Sequence, residues 1–210
     1  MPHESVKHPV FARGYAWLAK REDKAGNADN RRELLAGLTG TVVEVGAGIG
    51  SNFEHYPTTV NEVIAVEPEP YLRRRAQEAA ASARVPVRVV DGVADALPLE
   101  DASVDAGLAS LVLCSVPDQA TALAELYRVI KPGGELRFYE HVVSNRQGHR
   151  RVQRFLDATF YPRVAGGCHL TRDTRPAIEA AGFIVQRSRR FPFPPGLLGL
   201  PHILGSARRP

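Results

Sequence analysis

The sequence predicts an α/β protein in which a parallel sheet lies between two layers of helices. From residue 40 onward, short β-branched segments of strand length alternate with segments of helical composition. The short segments are apolar almost throughout, which is typical of strands covered on both faces. A glycine-rich turn follows the first of them. Because strands that alternate with helices form parallel sheets, these observations together predict a covered parallel sheet.

Seven segments have the length and composition of strands. They are TVVEV at 41–45, EVIAV at 62–66, VRVV at 87–90, VDAGLASLVL at 104–113, ELRFYEHV at 135–142, and two more at 183–187 and near 202–208. Helices are expected in PYLRRRAQEAAASA and at about 118–130, 148–160 and 173–181. Lys-Pro-Gly-Gly at 131–134 predicts a helix end and a turn, since proline cannot continue a helix and glycine permits the reversal.

We expect residues 1–38 to form a helical N-terminal cap and residues 39–210 to form the main domain. The cap is polar, but its apolar positions include Phe11, Tyr15 and Trp17. We expect these aromatic side chains to pack as core or as a lid over a pocket of the domain.

Length and composition fit one domain of ordinary globular type. The chain has 210 residues, of which 44% are hydrophobic and 24% charged, and this excludes collagen-like, coiled-coil and largely disordered chains. The sequence has no apolar stretch of about 18 residues, so no transmembrane segment is expected. The first twenty residues also lack the apolar core of an export signal. We therefore expect a cytoplasmic protein.

The two cysteines, Cys114 and Cys168, lie far apart in the sequence. They exclude a disulfide scaffold and a zinc site built from CxxC pairs. We expect Cys114 to be a small buried side chain and Cys168 to be a structural residue of a loop. A metal site of Cys168, His169 and His141 is conceivable, but these residues lack the usual spacing of metal ligands. No metal is therefore expected.

Positive charge is concentrated in residues 146–190. This segment has ten arginines against three acidic side chains, a net charge of +7, which leaves −3 for the rest of a chain whose total is +4. Such an excess fits a solvated surface, an acidic substrate, a membrane surface or a nucleic acid. The sequence has neither zinc-finger spacing nor a basic strand rich in aromatic residues. We therefore expect no nucleic-acid partner, and the sequence indicates no particular oligomeric state.

The strongest functional signal is VEVGAGIG at 43–50, where the first strand ends. Glycines at alternate positions let the backbone turn tightly and approach a ligand closely. The helix start that follows offers amide donors for a carboxylate or phosphate. Seventeen residues after Gly50, Glu67 ends the second strand, where a carboxylate accepts hydrogen bonds from ribose hydroxyls. The pattern predicts a nucleotide-containing ligand.

Details of the turn distinguish among such ligands. A dinucleotide fingerprint needs glycine at position 51, where this chain has serine, and a phosphate loop needs a lysine that is absent here. Tyr127 and Lys131 match a YxxxK spacing by chance, because the lysine lies at a helix end. Glu44 would repel a pyrophosphate but suits a cationic ligand. S-adenosylmethionine carries an ammonium and a sulfonium and no phosphate.

Four ordered motifs resemble those of class I S-adenosylmethionine-dependent methyltransferases. They are VEVGAGIG, AVEPEP, DGVADALPLEDASVD and LYRVIKPGGELRFYEHV, within about 41–142. A narrower likeness, from about 40 to 190, is to the thiol S-methyltransferases of the methyltransferase-like 7 group and their bacterial relatives. It depends on SNFEHYP, ASLVLCSVPD, FYEHV and GGCHLTRDT. The resemblance implies a Rossmann-like fold with a central seven-stranded, mostly parallel sheet.

The same resemblance implies a set of cofactor-binding residues. Those expected around the methionine part are Glu44, Gly46, Ala47, Gly48, Gly50 and Asn52. Those expected around the adenosine and the reacting methyl are Glu67 and Pro68 for ribose and adenine face, Gly92, Val93 and Ala94 for the adenine edge, and Ser110 and Leu111 near the methyl group. The family pattern has an acid where this chain has Val93. Asp95 either replaces that acid or is a solvated loop residue.

The expected reaction is in-line displacement of a methyl group from a sulfonium by a small-molecule acceptor. The enzyme must align nucleophile, methyl and sulfur and exclude water. A thiol reacts as its thiolate, so an imidazole base would help. His141 at the end of the fifth strand and His169 beside Cys168 are the candidates. A thiol is one acceptor; an oxygen, nitrogen or carbon acceptor and a non-catalytic cofactor-binding module remain alternatives.

Overall fold

The computed structural model describes residues 12, 14, 26–194 and 199–210. Its strands are β1 (Gly40–Val45), β2 (Val60–Val66), β3 (Val87–Val90), β4 (Val104–Ser110), β5 (Ile130–His141), β6 (Ile184–Phe193) and β7 (Leu200–Arg208). Its helices are α1 (Ala28–Leu35), α2 (Pro70–Ala80), α3 (Gln119–Val129), α4 (Gln147–Ala158), α5 (Tyr161–Val164) and α6 (Thr174–Ala180), with a 3-10 turn at Phe53–His55.

All seven strands form one sheet in the order β3-β2-β1-β4-β5-β7-β6. The pairs from β3 to β5 are parallel, and β7 is antiparallel to both β5 and β6. This confirms the predicted seven-stranded, mostly parallel sheet. The strand order reverses at β1, whose neighbours are β2 and β4. In open α/β sheets, ligands bind outside the carboxyl ends of the strands at such a reversal.

The central strands are apolar on both faces because each face packs in a separate core. In β1, Val43 and Val45 pack in one hydrophobic cluster, whereas Val42 packs in the other. Val63 and Ile64 of β2 divide between the two clusters in the same way. This alternation explains why the strands read as continuous apolar runs in the sequence.

The largest differences from the predicted boundaries are in three strands. β4 ends at Ser110 and not at residue 113, and β5 begins at Ile130. The predicted turn at 131–134 lies inside β5 as an irregularity, since the partners of β5 pass from Ile130 directly to Glu135 along β4. β6 extends to Phe193, beyond the predicted end at 187, because β7 pairs with it as far as Leu200.

The predicted N-terminal cap is described only in its last part. α1 buries Leu34 and Leu35, which pack with Leu38 and Val42 in one of the two cores. The aromatic residues Phe11, Tyr15 and Trp17 lie outside the described residues, and their role as a lid stays a prediction.

Part of the positive charge in residues 146–190 is paired within the fold. Arg190 pairs with Asp173 at 2.5 Å, and Arg189 pairs with Glu33 of α1 at 2.5 Å. Arg172 donates to the backbone carbonyl of Leu113 at 2.5 Å. Among the residues described, no helix has both the length and the apolar character needed to cross a membrane.

Candidate active site

The glycine turn after β1 is bonded to the end of β2. Gly46, Gly48 and Gly50 all have positive φ, at 62°, 59° and 80°, which L side chains rarely adopt. The Ala47 amide donates to the Val66 carbonyl at 3.2 Å. The Gly48 amide donates to Glu67 Oε2 at 2.7 Å. The two strongest sequence signals, the turn and the acid seventeen residues later, therefore meet in one hydrogen bond.

Glu67 is a buried carboxylate that is held by backbone donors. Its second oxygen, Oε1, accepts from the Glu69 amide at 2.9 Å. Burial raises the pKa of Glu67 to about 7, against the opposing effect of these backbone bonds. A carboxylate has roughly four acceptor positions, so these two bonds leave capacity for further hydroxyl donors. A carboxylate with free acceptor positions can accept hydrogen bonds from the two hydroxyls of a ribose.

Glu44 lies beneath the turn in a network of buried polar side chains. Its oxygens accept from Asn52 Nδ2 at 2.7 Å and from Tyr56 Oη at 2.8 Å. Arg31 of α1 donates to Asn52 Oδ1 at 2.8 Å. Burial raises the pKa of Glu44 to about 7, and the bonds to Asn52 and Tyr56 oppose that shift. Glu44 and Asn52 thus support the turn, and the structure adds Arg31, which no motif in the sequence indicates.

The end of β4 is strained where the reacting methyl group was expected. Leu111 has a positive φ of 60° although it is not glycine. Its amide donates to the Tyr139 carbonyl of β5 at 2.6 Å, which holds this conformation. Ser110 Oγ lies 3.5 Å from Arg31 Nη1, so the β4 end and the glycine turn share one guanidinium. Unfavourable backbone conformations of this kind are concentrated at functional sites.

The predicted adenine-edge residues follow β3 at the same edge of the sheet. Gly92 is buried, and Val93 forms a short bridge with Ala96, whose amide donates to the Val93 carbonyl at 3.3 Å. Pro68 follows Glu67, and its carbonyl accepts from Arg73 Nη1 at 2.9 Å. The predicted cofactor residues therefore lie along the carboxyl ends of β1, β2, β3 and β4.

Glu140 near the end of β5 organises the loop that follows β4. Its carboxylate is fully buried and accepts from three successive amides, those of Val112, Leu113 and Cys114, at 3.0, 2.9 and 3.1 Å. Burial raises the pKa of Glu140 to about 7. No local sequence pattern indicates this role of Glu140, because its partners lie 26 to 28 positions away. Glu140 fixes the backbone on which Cys114 lies.

His141 contacts both cysteines of the chain. Its Nδ1 lies 3.7 Å from Cys114 Sγ and 3.5 Å from Cys168 Sγ. Burial lowers the pKa of His141 to about 3, and the neighbouring His202 makes a smaller contribution in the same direction. The imidazole is therefore neutral at ordinary pH and is a weak base. Burial of Cys114 confirms the expectation for that residue.

His169 lies beside this group but not within it. Its backbone amide donates to the Cys114 carbonyl at 2.8 Å, which joins the loop at 165–172 to the end of β4. The group of close ligand atoms contains Cys114, His141 and Cys168, whereas the sequence suggested Cys168, His169 and His141. Cys114, in the loop that follows β4, thus takes the place that the sequence assigned to His169 in this group.

The doubly wound sheet, the glycine turn after β1 and the acid that follows β2 are typical of Rossmann-like methyltransferases. The family model described as a methyltransferase domain matches residues 43–138. A solved S-adenosylmethionine-dependent methyltransferase of Thermotoga maritima has the same fold, with a TM-score of 0.68 and 21% identity over 96% of this chain and 98% of its own.

Two curated relatives are similar over nearly the whole chain. Thiol S-methyltransferase TMT1B of Rattus norvegicus is 38% identical over 206 residues, covering 94% of this chain and 82% of the relative. Thiol S-methyltransferase TMT1A of Homo sapiens is 33% identical over 193 residues, covering 86% and 78%. The chain belongs to the class I S-adenosylmethionine-dependent methyltransferases, in the family of these relatives. It is an enzyme of that class.

Proposed function

We propose that this enzyme transfers the methyl group of S-adenosylmethionine to the sulfur of a small-molecule thiol. The use of S-adenosylmethionine is supported by the hydrogen bond between the Gly48 amide and Glu67, which joins the glycine turn to the carboxylate that would bind the ribose hydroxyls. The acceptor half is supported by relatives whose names specify thiol S-methylation and which match nearly the full chain.

The described residues fit this cofactor at its adenosine end. Glu67 would accept the ribose hydroxyls, with Pro68 and residues 92–94 beside the adenine. Leu111, held in its unusual conformation, would lie near the methyl group, and Glu44, Asn52 and Arg31 would keep the turn in place. The cofactor supplies an electrophilic methyl on a positively charged sulfur. The protein's task is therefore to orient it and to exclude water.

On the acceptor side, the loop at 165–172 covers the ends of β4 and β5. Arg172 fixes this loop by donating to the Leu113 carbonyl, and the His169 amide donates to Cys114. In the transfer, the acceptor thiolate forms a bond to the methyl carbon while the bond from that carbon to the sulfonium sulfur breaks. The thiol proton leaves beforehand. His141 is enclosed between the two cysteine sulfurs, so we assign the role of proton acceptor to His169.

An acceptor panel tests the proposal. Purified enzyme with methyl-labelled S-adenosylmethionine is assayed against small alkyl and aryl thiols, amines, phenols and quinols. Methyl transfer to thiols, at a rate that rises with pH as the thiolate forms, is the expected result. Turnover of an amine, phenol or quinol without thiol turnover would contradict the thiol acceptor and retain the methyltransferase. Binding of S-adenosylmethionine without any transfer would indicate a cofactor-binding module.

The role of His169 is tested with a matched histidine. His169→Ala should lower the rate of thiol methylation by roughly a hundredfold or more if the imidazole is a general base. His149→Ala, an exposed histidine on α4, is the control and should leave the rate unchanged. Cofactor affinity should be retained in both variants. A loss confined to acceptors of high thiol pKa would identify proton transfer as the step affected.

A further inference from the structure

Three side chains from separate parts of the chain converge at the carboxyl edge of the sheet. We call Cys114, His141 and Cys168 the thiol–imidazole cluster. Cys114 follows β4, His141 ends β5, and Cys168 belongs to the loop between α5 and α6. Their ligand atoms, two sulfurs and one imidazole nitrogen, all lie within 4.8 Å of one another. Both cysteines are buried, and the histidine is partly buried.

The distances match those between ligands of one metal ion. Zinc binds thiolate sulfur at about 2.3 Å and imidazole nitrogen at about 2.0–2.1 Å, so tetrahedral ligands of these two kinds are about 3.5–3.6 Å apart. The two sulfur-to-Nδ1 distances in the cluster are 3.7 and 3.5 Å. A disulfide would instead require the sulfurs to approach to about 2.05 Å.

The chemistry of the three side chains also suits a metal. An imidazole nitrogen and a thiolate sulfur are both common metal ligands. Both sulfurs face the same Nδ1 atom, which in either tautomer of a neutral imidazole makes one ordinary hydrogen bond and so cannot fully bond both thiols. A cation between the three atoms would bind all of them at once.

The surroundings are complementary to a positive ion. Cys114 donates its backbone amide to the buried carboxylate of Glu140 at 3.1 Å, so an acidic group lies beside the cluster. The ring of His202 packs beside that of His141, with the ring centroids 4.3 Å apart. Carboxylates beside metal ligands are frequent in metalloproteins.

We propose that the thiol–imidazole cluster is a Zn²⁺ site with two thiolate ligands and one imidazole ligand. Binding displaces one proton from each thiol to solvent and leaves two sulfur–zinc bonds. Soft sulfur and borderline nitrogen ligands select zinc over magnesium or calcium. Three protein ligands leave a fourth position for water or another small donor. By joining the ends of β4 and β5 to the loop at 165–172, the ion would also fix the loop that carries His169.

The test is metal binding to tag-free, reduced enzyme. Mass spectrometry of the intact protein under native conditions and elemental analysis after Zn²⁺ addition should show one zinc per chain. Co²⁺ in its place should give thiolate-to-cobalt charge-transfer absorption and visible bands of tetrahedral cobalt. In Cys168→Ser and in His141→Ala, affinity for Zn²⁺ should fall at least tenfold. His149→Ala should bind zinc like the wild type, because that exposed histidine lies outside the cluster.

The proposal does not depend on the acceptor, since its readouts are metal content and spectra. Folding of each variant is checked by its circular dichroism, and His141→Cys, which restores a soft ligand, should recover Co²⁺ charge-transfer absorption. Folded wild-type protein that takes up no zinc would overturn the proposal. A wild-type mass lower by two hydrogen atoms, restored by reductant and with no zinc uptake after reduction, would replace the metal site with a disulfide.

Discussion

Replacement of Glu67 by glutamine tests the cofactor site at a carboxylate whose two oxygens are both held by backbone amides. The change preserves side-chain shape and removes the negative charge at the end of β2. It also replaces one acceptor oxygen by an NH2 group that must face either the Gly48 or the Glu69 amide, both of which are donors to the native carboxylate. Glu67→Gln therefore weakens both the internal fixation of the turn and the bonding of the ribose hydroxyls.

The expected loss follows from the type of hydrogen bond. Bonds to a charged, buried acceptor contribute roughly 1.5–3 kcal/mol. Since about 1.4 kcal/mol is a factor of ten, affinity for S-adenosylhomocysteine should fall about tenfold to a hundredfold. Isothermal titration calorimetry measures this directly. Glu62→Gln is the matched control, because Glu62 lies at the opposite end of β2 and pairs with Arg88 at 3.1 Å.

A pH series separates the ribose role from a structural one. Burial raises the pKa of Glu67 to about 7, so the free enzyme takes up a proton there as pH falls through 7. Ribose hydroxyls bind the ionised form, so affinity should be level above pH 7 and fall up to tenfold per pH unit below it. Glu44 titrates in the same range, and Glu67→Gln distinguishes the two, since it should remove the Glu67 contribution. Equal affinity in Glu67→Gln and wild type at pH 8 would refute the assignment of Glu67 to the ribose.

Three further changes test the surroundings of the site. Gly46→Ala should lower thermal stability by about 2 kcal/mol or more, because φ is positive and the new Cβ would overlap Val112; Gly148→Ala on exposed α4 meets nothing and should not, and equal melting temperatures would contradict this. Glu140→Ala should lower the free energy of unfolding by about 3 kcal/mol or more in chemical denaturation, since it leaves two buried amides and one partly buried amide without their acceptor; a loss below about 1 kcal/mol would show that water replaces it. Arg31→Met should weaken S-adenosylhomocysteine binding in calorimetry while the fold persists, because it removes a guanidinium from the network under the turn; unchanged affinity would make Arg31 a packing residue only.

The strands and the helices that cover them were predictable because the composition that indicates each of them is local in the sequence. An apolar segment such as 41–45 needs only its own composition to indicate a strand covered on both faces, and β1 was found at Gly40–Val45. Boundaries were less predictable where pairing decides them. β6 extends to Phe193 because β7 supplies partners, and nothing in the residues 188–193 themselves requires it.

Within the site, the sequence determined the glycine turn and Glu67, since glycine adopts positive φ most readily and the acid comes directly after an apolar strand segment. Only the tertiary structure decided which side chains converge there. Arg31 contacts Asn52 and Ser110, which lie 21 and 79 positions away in the sequence. Cys114 and Cys168 both contact Nδ1 of His141. The physical reason is that strand order and loop docking, which bring these residues together, depend on packing between distant segments and leave no periodic trace along the chain.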